Sequence, residues 1–126
     1  MTDRAGAFLR LAHEELGAAS RLIDGFPRQA AYQLQQSAEK IARAILAREG
    51  IPFGTGHNLG QMAATLPADH PWRSKLMRLD HLSPAATRHR YPSPGGRLPP
   101  PPPIAELWAD EVQLKSLLAE AEAWCR

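Results

Sequence analysis

The sequence predicts an all-α protein, a bundle of four to five helices with a Pro-rich loop before the last one. Three observations predict it. The stretch from Gln35 to Leu46 consists almost wholly of good helix formers, and Leu34, Ala38, Ile41 and Ile45 recur on one helical face. Apolar stripes of the same period flank it near both ends of the chain, separated by glycine and proline punctuation. With 126 residues, 44% hydrophobic and 22% charged, the chain reads as a single domain over 1–126, large enough for a real core.

Thr2 or Asp3 can cap the first helix, whose Phe8, Leu9, Ala12, Leu16, Ala19 and Ile23 hold helical spacing. Asp24-Gly25-Phe26-Pro27 is a turn signal, with Pro27 placed to open the second helix. So short a connection makes the two helices antiparallel neighbours. The second helix runs from about Pro27 to Glu49, where Gly50 and Pro52 stop it. Its alanines Ala38, Ala42 and Ala44 allow close approach of neighbours, while Glu39, Lys40 and Arg43 are expected to project from other faces.

Gly54-Thr55-Gly56-His57-Asn58 lacks the spacing and the lysine of a nucleotide-binding P-loop. A tight loop is the better reading, with Asn58 or His57 capping a short third helix that turns Leu59, Met62, Ala63 and Leu66 inward. His57 is expected to tie the loop to the second helix. Pro67 ends the third helix and Pro71 opens a fourth segment, with Trp72, Leu76, Leu79 and Leu82 buried and Arg73, Lys75 and Arg78 facing outward.

From Ser83 to Pro103 helical periodicity is lost. This Pro/Gly-rich loop, 84–103 within the domain, includes Gly95-Gly96 and five consecutive prolines from Pro99 to Pro103, expected as a polyproline II spacer or a ligand for a proline-reading groove. The last helix then carries Ile104, Leu107, Leu114, Leu118, Ala121 and Cys125 on one face. Trp108, Val112 and Trp124 fall partly outside that stripe, a surplus that suggests a subunit interface.

The net charge of +2 and pI of about 9.0 are too mild to announce nucleic-acid binding. The distribution is more informative. Arg73, Lys75, Arg78, Arg88, Arg90 and Arg97 face Asp80 alone, whereas Glu106, Asp110, Glu111, Glu120 and Glu122 follow Pro103. Cys125, as the single cysteine, fits a reducing cytoplasm, and no Cys/His spacing suggests a structural zinc. No metal and no cofactor is expected, and neither export nor a membrane span.

Gln36-Ser37-Ala38-Glu39-Lys40, Ala44-Ile45-Leu46, Gly50, His57-Asn58-Leu59 and Arg90-Tyr91-Pro92, in that order after an amphipathic first helix, resemble the HEPN domain over nearly the whole chain. The resemblance implies an up-and-down helical bundle, commonly a homodimer. It also implies one of three roles: RNA cleavage, nucleotide or nucleic-acid binding, or pairing with a small nucleotidyltransferase, often as a toxin–antitoxin pair.

The ribonuclease branch of that family carries an arginine and a histidine separated by four to six residues. Here Arg73 and His81 are separated by seven, Arg78 and His81 by two, and Arg48 and His57 by eight. Another branch has arginine, four residues, histidine, any residue and a tyrosine that accepts nucleotidyl groups. His89-Arg90-Tyr91 matches its second half, but Pro84 stands in the arginine's place. Tyr91 is therefore a candidate modification site.

Two functions follow. In the first, a non-catalytic module binds nucleotide or RNA phosphate through Arg88, His89, Arg90 and Lys40 or Arg43, with Tyr91 stacking on a base. In the second, a ribonuclease assembles an atypical centre from His89 with Arg88 or Arg90 across a dimer interface. Because Pro92 biases Tyr91 toward extended backbone, Arg88 and Arg90 are expected on one side of an extended segment, with His89 and Tyr91 on the other. A purely structural alternative pairs Arg90 with Glu39 and packs Tyr91 on the bundle.

Overall fold

The computed structural model describes residues 3–126, with side chains from Arg4 onward. It contains α1 (Asp3–Leu22), α2 (Pro27–Glu49), α3 (Leu59–Ala64), α4 (Arg73–Met77), 3₁₀ helices at Asp80–Ala86 and Arg88–Arg90, and α5 (Ile104–Cys125), with no strand among the described residues. The side chains of Thr2 and Asp3, expected to cap α1, lie outside the described residues.

The α1–α2 hairpin forms as its punctuation requires. Pro27 occupies the first turn of α2, where a missing N–H costs nothing, and Gly50 closes the helix in the left-handed region at φ 70°. Small residues set the spacing: Ala12 and Ala19 on α1 and Ala30, Ala31, Ala38 and Ala42 on α2 are all buried. Ser37 is buried among them and donates its hydroxyl to the Ala12 carbonyl at 2.8 Å. That bond satisfies a polar group that would otherwise be costly in the interior.

The course of α5 follows from its polar links. His13 meets Glu122, Ser20 donates to Glu111, and Trp108 Nε1 donates to Asp24, so α5 numbers fall as α1 numbers rise. Hence α5 runs antiparallel to α1 and in the same direction as α2. The short helices between Leu59 and Arg90 return the chain along the bundle to make this possible. They bury Leu59, Met62, Leu66, Trp72, Leu76, Leu79 and Leu82, as the sequence predicts.

Several expectations are corrected. Glu39 does not project outward but is buried at 3% exposure, because α2 is covered on nearly every side. Helical structure extends into the segment read as loop, with 3₁₀ turns through Ala86 and over Arg88–Arg90. Ile104 lies at the end of α5 and is 42% exposed, not core. Trp124 faces inward, edge-on to Trp72 and His70 and beneath the Arg48 guanidinium, so it belongs to the fold. On α4, Arg73 caps the Leu66 carbonyl at 2.7 Å and Lys75 lies over the Trp72 ring, so only part of the outward basic face is free.

Candidate nucleic-acid interface

The candidate site begins at Glu39. One carboxylate oxygen accepts from His57 Nδ1 at 2.6 Å and from Gln35 Nε2 at 3.3 Å, while Arg43 Nε approaches the other to 3.2 Å. Arg43 also donates to the Gly54 and Gly56 carbonyls, and Gln35 to the His57 carbonyl. The 54–58 loop is thereby laced to α2, as expected of His57. A carboxylate only accepts, so His57 donates from Nδ1 to Glu39, which fixes the orientation of its ring.

His57 also lines a cavity of about 450 Å³ together with Asn58, Asp80, Ser83, Pro84, Thr87 and Arg88. The wall is built locally. Asn58 caps α3 by accepting from Gln61 N at 2.8 Å. Asp80 Oδ1 accepts from Gly60 N at 2.9 Å and from the Ser83 hydroxyl at 3.2 Å, and Ser83 in turn accepts from Leu59 N. Gly60 is required by this contact, since a Cβ there would sit 2.8 Å from Asp80 Oδ1. At the edge of the cavity Arg88 is exposed and makes no hydrogen bond or ion pair among the described residues.

The residues predicted to form one anion site are not gathered in one place. Lys40 is a strut between helices, 3.0 Å from Glu15, with both side chains largely covered. Burial dominates there and raises the Glu15 carboxyl above its ordinary range, although Lys40 pulls it down. Arg43 is committed to Glu39 and the loop carbonyls, with its guanidinium also over the Phe53 ring. Of the predicted residues, only Arg88 lines the cavity.

The extended alternation expected at Arg88–Tyr91 is overturned because Arg88–Arg90 is a 3₁₀ turn, in which consecutive side chains diverge by about a third of a circle. Arg90 stacks on Tyr32 at 4.1 Å and does not pair with Glu39. Tyr91 is extended and 62% exposed. His89 is half-buried, and its Nδ1 is shielded with no hydrogen-bond partner. Its pKa is lowered, first by burial and then by Arg88 and Arg28, which favours the uncharged ring. Its carbonyl and that of Pro99 both accept from Arg28, at 3.1 and 2.6 Å, which straps the proline segment to α2.

Sequence reasoning missed Asp80, Ser83 and Thr87 as site residues and took His57 and Asn58 as loop fixtures. The available signal was the pairing of two resembling motifs, Ala38-Glu39-Lys40 and His57-Asn58-Leu59, which meet in space. Among the described residues, no three His, Cys, Asp or Glu side chains converge as a metal site requires. No described helix is long and apolar enough to cross a membrane.

No curated protein and no solved structure matches the chain significantly. The family model described as HEPN domain matches residues 5–124. The chain is therefore a member of the HEPN domain family, whose roles include RNA binding and RNA cleavage.

Proposed function

We propose that this HEPN domain is a non-catalytic module that binds RNA or nucleotide phosphate at the cavity beneath Arg88. The observation that carries this is the contrast among its cations: Lys40, Arg43 and Arg90 are engaged by the fold, whereas Arg88 stands uncommitted beside a cavity with the polar side chains of Asn58, Ser83 and Thr87. The shielded Nδ1 of His89 supports binding over the ribonuclease alternative, which needs that ring to reach a phosphate together with Arg88 or Arg90. Fluorescence titration of a labelled single-stranded RNA tests the reading. Arg88→Ala weakens binding and Lys40→Ala does not; equal effects from both overturn it. Metal-independent RNA cleavage that is lost in His89→Ala would establish the alternative instead.

Two further parts of the reading concern partners. A homodimer is supported by Ile104, Trp108 and Val112, spaced four apart on α5 and 42%, 37% and 64% exposed, so that a two-fold axis would cover an apolar stripe. Sedimentation at micromolar concentration checks it, and a strict monomer contradicts it. Pairing with a small nucleotidyltransferase, as in a toxin–antitoxin system, is supported by the exposed Tyr91, whose phenolic oxygen would be the nucleotidyl acceptor. A nucleotidyltransferase that labels wild-type protein but not Tyr91→Phe would establish the pairing.

A further inference from the structure

A site that holds only phosphate has no use for a carboxylate, because a negative charge beside the anion opposes its binding. Asp80 nevertheless lines the same cavity as Arg88. Its position is fixed: Oδ1 is held by the Gly60 amide and the Ser83 hydroxyl, and only the absence of a side chain at Gly60 lets it lie so close to α3. Oδ2 has no hydrogen bond among the described residues. His57, anchored through Nδ1 to Glu39, lines the same cavity with its orientation fixed. The cavity therefore offers a cation for an anion and a fixed carboxylate acceptor for a donor.

We infer that Asp80 makes this cavity selective for ribose over deoxyribose by accepting a hydrogen bond from a 2′-hydroxyl whose neighbouring phosphate lies on Arg88. This rests on the phosphate-binding reading above and names the sugar it selects. The chemistry suits the assignment: a 2′-hydroxyl is the donor that distinguishes RNA from DNA, and an ionised carboxylate is purely an acceptor. The charge that lowers affinity for phosphate alone is offset when the ligand brings that donor.

The test is a titration of three labelled single strands of one sequence, RNA, DNA and 2′-O-methyl RNA, against the full chain. Wild-type protein binds RNA about ten- to a hundredfold more tightly than DNA, as a hydrogen bond to a charged group allows. The 2′-O-methyl strand, which keeps the sugar oxygen but lacks the donor, behaves like DNA. Asp80→Asn brings the RNA-to-DNA ratio close to one without weakening DNA binding, because repulsion of phosphate is relieved as the acceptor charge is lost. Gly60→Ala, which displaces the carboxylate but leaves its charge, also collapses the ratio. Arg88→Ala weakens both strands and preserves it.

Equal wild-type binding of RNA and DNA, or an unchanged ratio in Asp80→Asn with its fold intact by circular dichroism, overturns the inference and leaves phosphate binding standing. Failure of the wild-type chain to bind any strand overturns both.

Discussion

The two polar clusters joined at His57 are made of similar residues and are put to opposite uses. Around Glu39, the carboxylate, Arg43, Gln35 and the two loop carbonyls close on one another. Around Asp80, the carboxylate uses one oxygen for Gly60 and Ser83, while Arg88 projects into solvent with no partner among the described residues. The difference teaches that residue type does not decide whether a charge serves a ligand or the fold. What decides it is how many of its hydrogen bonds the chain has already taken.

The sharpest test of the scaffold side is a pair of substitutions on α2. Ile41, fully buried, loses about 2–5 kcal/mol on truncation to alanine through lost burial and the cavity left behind. Gln36→Ala, a half-buried position rather than the exposed one its sequence suggests, removes hydrogen bonds to Gln35 and Lys40 and costs about 1 kcal/mol. Urea denaturation of the two variants separates them; equal midpoints would mean that the core face of α2 is wrongly assigned.

Next in size is Glu39→Ala. Removing one partner of a buried ion pair costs about 3–5 kcal/mol, and the lower end applies because Arg43 keeps the Gly54 and Gly56 carbonyls. A loss below ~1 kcal/mol would place Glu39 with the open cluster and break the comparison.

Lys40→Ala is smaller again, about 1 kcal/mol or less for a partly covered pair, with RNA affinity unchanged. Arg88→Ala moves stability by no more than ~0.5 kcal/mol, since nothing described in the fold leans on its side chain. Its effect appears in binding, where each lost phosphate contact lowers the salt-dependence slope by roughly one unit.

His89 gives a pH signature without a ligand. Its folded pKa lies below the ordinary 6.5, so between the two values the unfolded chain binds the extra proton. Its stability contribution is complete above pH 6.5 and is lost as pH falls toward the folded value. Glu15, raised above 4.5, acts with the opposite sign, since in its window the native state holds the extra proton and stability falls as pH rises. Comparing denaturation of wild type and His89→Gln across pH 7 to 5 isolates the histidine; superimposable pH profiles would contradict its neutral burial.

The helices were legible because their signals are local. Period, proline at the first turn of α2 and Gly50 at its end fix the hairpin, and alanines at 12, 19, 38 and 42 announce close packing. The site was much less legible. Asp80 reaches the cavity because Gly60, twenty residues earlier, lacks a side chain, a relation that no local pattern encodes. Glu39 looked like a surface charge because neighbours distant in sequence cover its face. Arg88 and Arg90 looked like one anion site because Pro92 suggested extension, whereas the 3₁₀ turn stops only at Tyr91 and sends Arg90 to Tyr32. Side-chain grouping in irregular segments depends on long-range contacts.

The central claim, that ligand meets the open cluster and not the closed one, is tested most directly by mapping backbone amide resonances on addition of a short single-stranded RNA. The account predicts shifts centred on Asn58, Gly60, Asp80, Ser83, Thr87 and Arg88, with Lys40 and Arg43 undisturbed. Shifts centred on Lys40 or on Tyr32 and Arg90, with Asp80 and Arg88 silent, would contradict it.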